Sequence, residues 1–358
     1  MEVLYLRHRL EGALASEYDQ FVDTARGGHY MQTRAYGDVA SVGKRVERRF
    51  LIARSGGRIR GAALALRSRV GFIPSPSIIM ERGPVVDSPE DLEEVLTAMV
   101  KTLSRHGVLK IRMQPYWSGS DAIVAARALA RVGTAGSEDR DGPHTTTLRL
   151  DLDMPRAEIF AGSERSFLRN KVKQAEKLGV TTKQLGVEGL TTLANLYNTM
   201  MSEQSMEGKP ESFFDALAAL VRAERATIFQ CDHDGAPVGS VLVIRHGEQV
   251  TFHLGATSGE KKPFKKMLLP LVRAAEWAHE VGAKRFDLGG VPEEDDKDDK
   301  RNAIAQFKFD FSKTRVALLP VQRYSAPLAD LLERAPVNEI RNLTSRPLES
   351  LGALFGRR

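Results

Sequence analysis

The run Gln306-Phe307-Lys308-Phe309-Asp310-Phe311 sets one lysine among three phenylalanines. Read by alternation, Phe307, Phe309 and Phe311 form one face of a strand, with Lys308 and Asp310 turned to solvent. Held instead in a water-poor cleft, the Lys308 ammonium would stabilise negative charge developing on a carbonyl oxygen, as when an amine attacks an ester. A second group of candidates is cationic. Arg165, Arg169, Lys173 and Lys177 recur every four residues and align on one helix face, with Lys171 alongside and Glu164 and Glu176 interrupting. Such a stripe suits phosphate contact; the alternative is an ordinary solvated face. Lys261, Lys262, Lys265 and Lys266 sit where a helix is expected to begin, and cations there oppose the helix dipole unless an anion is present. A plain basic turn explains them equally well.

Other chemistry finds less support. Asp232-His233-Asp234-Gly235 has metal-capable side chains, but its spacing is that of a hairpin turn, and no metal site is expected. Gly-x-Ser-x-Gly, His-Glu-x-x-His and Walker-type motifs are missing from the sequence, so hydrolase and NTPase readings gain nothing. Cys231 is the sole cysteine, which forbids an internal disulfide and reads as packing in a reducing compartment. The 358 residues are 42% hydrophobic and 27% charged, as in an ordinary folded protein, and the net charge of +6 suits an anionic partner such as RNA, a nucleotide or a lipid surface. The N-terminal residues lack a signal peptide's apolar core, and no stretch of about 18 apolar residues occurs. A cytoplasmic protein is expected, with Arg341, Arg346, Arg357 and Arg358 in the tail as a candidate contact with an anionic membrane.

The elements that must position these residues form a repeat. Phe50-Leu51-Ile52-Ala53, a Ser-Gly-Gly turn and Gly61-Ala62-Ala63-Leu64-Ala65-Leu66 predict a hairpin, followed by an extended segment reaching Arg82-Gly83-Pro84. Ser88-Pro89-Glu90-Asp91 predicts a capped helix that ends at Gly107, then a strand over 108–113. The second half repeats the order: strands at 227–230, 239–244 and 250–254, a helix from about Pro263 to Gly282, and a strand at 285–288. Gly61 and Gly239 stand 178 positions apart and Gly107 and Gly282 stand 175 apart, a register that implies tandem duplication. Meander, helix and parallel crossover strand make an α+β layer arrangement. Between the halves a helix is expected over 163–178, with Leu168, Val172 and Ala175 as its buried stripe and Gly179 as its C-terminal cap. The run 293–300, rich in Asp, Glu and Lys, reads as a solvated loop, with a lid over Phe307 as the sharper alternative.

On these residues the chain resembles the Fem family of peptidyltransferases. The resemblance rests on Gln32-Thr33-Arg34-Ala35-Tyr36, Arg82-Gly83-Pro84-Val85-Val86-Asp87, Lys173-Gln174-Ala175-Glu176-Lys177-Leu178-Gly179-Val180, Phe286-Asp287-Leu288-Gly289-Gly290-Val291 and Gln306-Phe307-Lys308. It implies two tandem GNAT-like domains with mixed sheets flanked by helices: residues 1–150, then 151–325 with the basic helix and the Phe-Lys pair, then a helical tail over 326–358. It also implies transfer of an amino acid from aminoacyl-tRNA to an amine on a peptidoglycan precursor, with the tRNA as co-substrate and no other cofactor.

By the same resemblance Phe307 shapes the pocket and Lys308 stabilises charge, while Arg165, Arg169, Lys173, Lys177 and Lys265 stay the candidates for phosphate contact that their spacing suggests. Lys209, Phe213, Gln114, His253 and Asp287 would face the substrates. Four of these depart from the family pattern. Lys209 and Phe213 stand where an Arg and a Tyr are usual, Phe252-His253-Leu254 replaces a Tyr-x-Tyr, and Gln114 replaces an acid. The acceptor therefore stays open between a nucleotide- or lipid-linked muropeptide and a small amine of a natural-product pathway. Acyl-CoA-dependent transfer on the same fold, and a binding module that has lost catalysis, are the remaining readings.

Overall fold

The computed structural model describes residues 1–7, 9–70, 72–137, 143–160, 163–293 and 306–327; the expected lid beyond 293 and the tail beyond 327 lie outside them. The first half runs β1 (Glu2–Arg7), α1 (Gly12–Thr24), α2 (Arg34–Ser41), β2 (Val46–Ser55), β3 (Arg58–Val70), β4 (Ile73–Pro74), β5 (Ser77–Met80), β6 (Val85–Val86), α3 (Leu92–Arg105), β7 (Lys110–Met113), α4 (Gly119–Arg131) and β8 (Thr134–Gly136). The second runs β9 (Thr146–Asp151), α5 (Ser163–Lys177), β10 (Thr181–Leu185), α6 (Gly189–Glu203), α7 (Glu211–Arg222), β11 (Ala226–His233), β12 (Ala236–His246), β13 (Gln249–Thr257), α8 (Leu268–Glu280), β14 (Arg285–Gly290), β15 (Arg315–Ala317) and β16 (Gln322–Ser325). Two mixed sheets result, ordered β1-β2-β3-β5-β7-β16-β8 and β10-β11-β12-β13-β14-β9-β15.

The duplication read from the sequence is present in the fold. β2, β3 and β5 lead through α3 to β7, parallel to β5; β11, β12 and β13 lead through α8 to β14, parallel to β13. The correspondence reaches single residues, because each hairpin carries a bulge, at Arg60 and at Val238, and these too stand 178 positions apart. The crossover helices pack by the periodicity of their apolar residues. α3 buries Leu92, Val95, Leu96, Met99 and Leu103, and α8 buries Leu268, Leu271, Val272 and Ala275. Each fully buried leucine contributes roughly 1.5–3 kcal/mol.

The expected boundaries at 150 and 325 do not separate the sheets. β9 pairs with β14 and β15 in the second sheet, and β16 sits between β7 and β8 in the first. β9 thus covers the open edge of the crossover strand β14, and β16 that of β7, edges that would otherwise leave unpaired backbone groups beside the core. Two helix starts also move. α8 begins at Leu268, since Lys265 to Met267 form a turn closed by Leu268 N–H on Lys265 O at 3.1 Å. Ser88 and Pro89 open a 3-10 turn, Pro89–Asp91, that runs into α3, and the Ser88 hydroxyl bonds Glu90 instead of capping backbone. The Asp234-Gly235 turn is a hairpin turn as expected, with φ of 54° and 77°.

Candidate active site

The two parallel pairs differ where it matters for chemistry. β5 and β7 stay paired along four residues, from Ser77↔Lys110 to Met80↔Met113. β13 and β14 pair over three, Gln249↔Arg285 to Thr251↔Asp287, although β13 continues to Thr257 and β14 to Gly290. Beyond Thr251 and Asp287 the two strands part, and the second half alone opens a gap between parallel strands. A bulge at His253, skipped between the pairs Leu242↔Leu254 and Val243↔Phe252, turns β13 at the mouth of that gap.

Lys308 lies inside it. The segment Gln306–Asp310 is a 3-10 helix and not a strand, which corrects the alternation reading. With three residues per turn, Lys308 and Phe311 share one face. They are 8% and 1% exposed, whereas Phe307 and Phe309 are half-buried at the rim. The Lys308 ammonium donates to Gly290 O at 2.8 Å and stands 5.7 Å from the centre of the Phe252 ring, which also packs edge-on against Phe307. Burial lowers its pKa to about 8, and nearby Asp287 partly opposes that shift. The Gly289-Gly290 pair makes the room. Gly289 has φ +75°, and a Cβ on Gly290 would lie 2.6 Å from His144 Cβ.

Beneath Lys308, Asp287 is 2% exposed and accepts four hydrogen bonds: Thr147 Oγ1 at 2.5 Å, Gly289 N at 2.7 Å, Tyr116 OH at 2.9 Å and Arg149 Nε at 3.4 Å. Burial raises its pKa, but Arg149, the Thr147 hydroxyl, His144 and the Gly289 amide outweigh that and hold it below the ordinary carboxylate value. Tyr116 is the residue sequence reasoning missed most plainly. Its hydroxyl donates to Asp287 and accepts from Arg149 Nη2 at 2.9 Å and Gln249 Nε2 at 3.0 Å, while Arg82 and Arg149 both lie against its ring, at 5.5 and 5.4 Å. The available signal was alternation: Thr147 and Arg149 are polar residues two apart on β9, opposite Leu148 and Leu150 in the core.

Gln114 borders this cluster. Gln114 Nε2 and Arg82 Nη2 both donate to His144 O, at 3.3 and 3.0 Å, and Gln114 Nε2 also reaches Leu319 O at 2.9 Å. The His144 ring, desolvated and facing Arg82, has its pKa lowered to about 3 and is neutral. Arg82 is 1% exposed with φ +57°, and among the described residues its Nε and Nη1, together with Gln114 Oε1 and His253 Nε2, find no hydrogen-bond partner. A buried polar atom without a partner is costly, so these four are open to a bound group.

His253, Lys209 and Phe213 assemble on the other side. His253 Nδ1 meets Tyr30 OH at 3.2 Å, and its ring packs edge-on against Tyr30 and Tyr36. Desolvation, then the charge of Lys209, brings its pKa down to about 4, so it is neutral at pH 7. Lys209 is exposed, lies 5.5 Å from the Phe213 ring centre, and is fixed by Asn198, which bonds its backbone N and O at 2.8 and 3.0 Å. The two sides join through stacked rings, from Tyr30 to His29 to Tyr116. His29, Tyr30, Tyr116, Arg149 and Gln249 also line a cleft of about 470 Å³. The first-half motifs serve this frame. Gln32 bridges Leu64 and Glu81 and fills the space a Cβ on Gly83 would need, and the Thr33 side chain caps α2.

Of the cationic candidates, Arg169, Lys173 and Lys177 are exposed on α5; the side chain of Arg165 lies outside the described residues. Leu168 and Ala175 are buried, Val172 is half-buried, and Gly179 with φ +79° caps the helix as expected. Arg273 neutralises Glu176 at 3.0 Å, which leaves this face of α5 more positive than its sequence. Lys265 pairs with Asp310 and lies 5.9 Å from the ring centre of Phe167 on α5, so it ties the stripe to the Phe307-Lys308 helix. Cys231 is buried, donates to Lys266 O at 3.1 Å, and has its pKa pushed up to about 12 by burial, which removes it as a nucleophile.

Two tandem α+β units, the second splayed around a buried lysine, define a tandem GNAT fold. The acetyltransferase (GNAT) domain family matches residues 162–301. In sequence the chain is similar to lipid II:glycine glycyltransferases of Staphylococcus aureus, 26% identical over 210 residues that make up 56% of this chain and 49% of the relative. The chain thus spans about half the length of the curated relatives it matches. In fold it is similar to FemX, with a TM-score of 0.77 and 19% identity over 93% of this chain and 100% of that one. It also matches a tandem GNAT protein from the clavulanic acid biosynthesis pathway, with a TM-score of 0.53 and 13% identity over 90% and 98%. The resemblance to the Fem family therefore holds in sequence and in fold.

Proposed function

We propose that this protein is an aminoacyltransferase that moves an amino acid from aminoacyl-tRNA to an amine on a peptidoglycan precursor peptide. The observation that carries this reading is the Lys308 ammonium, buried at the point where β13 and β14 separate. In the proposed reaction the acceptor amine attacks the ester carbonyl of the donor, forming a C–N bond and a tetrahedral oxyanion. Collapse breaks the ester C–O bond, the ribose hydroxyl leaves, and the proton lost by the amine ends on that oxygen. Lys308 stabilises the oxyanion from a site poor in water, an effect typically worth a hundredfold or more in rate. Asp287, held ionised by Arg149 and its hydrogen bonds, keeps the Lys308 charge in place and orients Tyr116.

Three further features support the reading. Neutral His253 and the unpartnered atoms of Arg82 and Gln114 offer donors and acceptors to a peptide acceptor. The exposed cations of α5, joined to the Lys308 helix through Phe167, Lys265 and Asp310, give a polyanionic donor a route to the gap. The turn before α8, where an acyl-CoA enzyme would present backbone amides to a pyrophosphate, points carbonyls inward at a cation. Lys266 donates to Ser258 O and to Glu260 O. The glycyltransferase relatives are named for lipid II, which favours a lipid-linked acceptor, and no helix among the described residues is long and apolar enough to cross a membrane.

Purified protein given charged tRNA and a muropeptide is expected to form an amide detectable by mass spectrometry; turnover with acetyl-CoA and none with charged tRNA would overturn the donor. Replacing Arg169 and Lys173 by Gln is expected to weaken tRNA binding and to lower the slope of log affinity against log salt by about 1 to 2. An unchanged slope removes α5 from the donor surface.

A further inference from the structure

The two most exposed large apolar side chains of the described residues are neighbours. Phe72 is 93% exposed and Ile73 is 74% exposed, at the tip where β3 turns into β4. An aromatic and a β-branched side chain held in water at one point have no use in the core.

Several backbone groups beside the tip are paired. Arg69 pairs with Pro74 and Val70 with Ile73. Ser75 N–H donates to Ser68 O at 2.8 Å, and the Arg69 guanidinium donates to Phe72 O at 3.0 Å. Such pairing lowers the cost of bringing chain close to hydrocarbon, where an unmet carbonyl is costly. The base of the tip is cationic. Of the six arginines and lysines in residues 44–49 and 67–69, Arg48 pairs with Asp38, Arg49 and Arg67 are buried, and Arg49 and Arg69 share Glu47, which leaves Lys44 and Arg45 as the exposed charge. Lys44 and Arg45 are exposed, and Arg45 O accepts from Arg69 N at 3.1 Å, which puts that pair one strand away from the tip.

We propose that Phe72 and Ile73 insert into an anionic lipid surface while Lys44 and Arg45 meet its headgroups. Exposed apolar side chains at the end of a hairpin, with exposed cations one strand away, match the layering of a bilayer surface. A protein partner would need a groove for the two side chains, and it would have no need of the cations in that position. The proposal stands apart from acyl transfer, because it is tested without substrate.

The full-length protein is mixed with vesicles of phosphatidylglycerol and phosphatidylcholine, or of phosphatidylcholine alone, and sedimented. Binding to the anionic vesicles is expected, at least tenfold weaker in the F72S/I73S variant and less salt-dependent in K44Q/R45Q. In F72W the indole emission is expected to shift to the blue when anionic vesicles are added. Failure of the wild type to bind, equal binding by F72S/I73S, or vesicle binding by F72W without a spectral shift each overturns the proposal; the last would move the contact to α5 or to the tail.

Discussion

Replacing Lys308 by Met is expected to lower kcat by about a hundredfold or more while the fold persists, with Tm at or above that of the unchanged protein. The two effects have one cause. Folding buries the ammonium and takes its pKa from about 10.4 in the unfolded chain to about 8. Folded protein thus binds this proton less tightly, so the charged group opposes folding by about 3 kcal/mol below pH 8, and the penalty fades as pH rises toward 10.4. Methionine keeps the volume and removes that penalty, losing one hydrogen bond to Gly290 O worth about 1 kcal/mol. A residue that costs stability in place is one held there for its charge. The rate should also fall as pH rises through about 8, where the ammonium is lost, giving an alkaline limb opposed by the acceptor amine's need to be neutral. In Lys308→Arg the limb should move upward, because a guanidinium stays charged. A wild-type rate in Lys308→Met, or an alkaline limb unmoved in Lys308→Arg, would return Lys308 to packing.

The second large effect is expected at Asp287. Replacement by Ala leaves Arg149, with 15% of its side chain exposed, beside an empty position and strips acceptors from Thr147, Gly289 and Tyr116. Removing one partner of a buried ion pair costs about 3–5 kcal/mol, which urea denaturation would read as a lower midpoint. Asn does not rescue it fully. Oδ1 faces the Gly289 N–H and Oδ2 faces the Arg149 guanidinium, so either orientation of the amide points its NH2 at an obligate donor. About 1–3 kcal/mol should still be lost. Because folding lowers this carboxyl's pKa, its stabilisation is present above about pH 4 and is lost as pH falls through the folded value. An Asp287→Asn protein with the midpoint and acid sensitivity of the parent would remove the hub argument.

The repeat and the basic stripe were legible in the chain. Hairpins, crossover helices and the stripe are local patterns with periods of 2 and 3.6 residues, and local patterns survive in sequence. Gly289 and Gly290 were visible as a motif, although their purpose, room for Lys308 and His144, was not. Alternation misjudged the direction of Lys308, since a 3-10 helix over Gln306–Asp310 pairs it with Phe311 instead of opposing it. The opening bounded by Thr251 and Asp287 also has no sequence signature, because it consists of pairing that stops.

What the sequence by itself determined is the class of fold and the residue types available to one reaction. Tertiary structure decided which of them meet. Tyr116, Arg149 and Asp287 come from segments 33 to 171 residues apart, and they converge because β9 pairs beside β14 in the second sheet while the loop after β7 reaches over it. The pKa values of Lys308, Asp287 and His253 are likewise properties of that convergence, since desolvation and charge proximity exist only once the chain is folded.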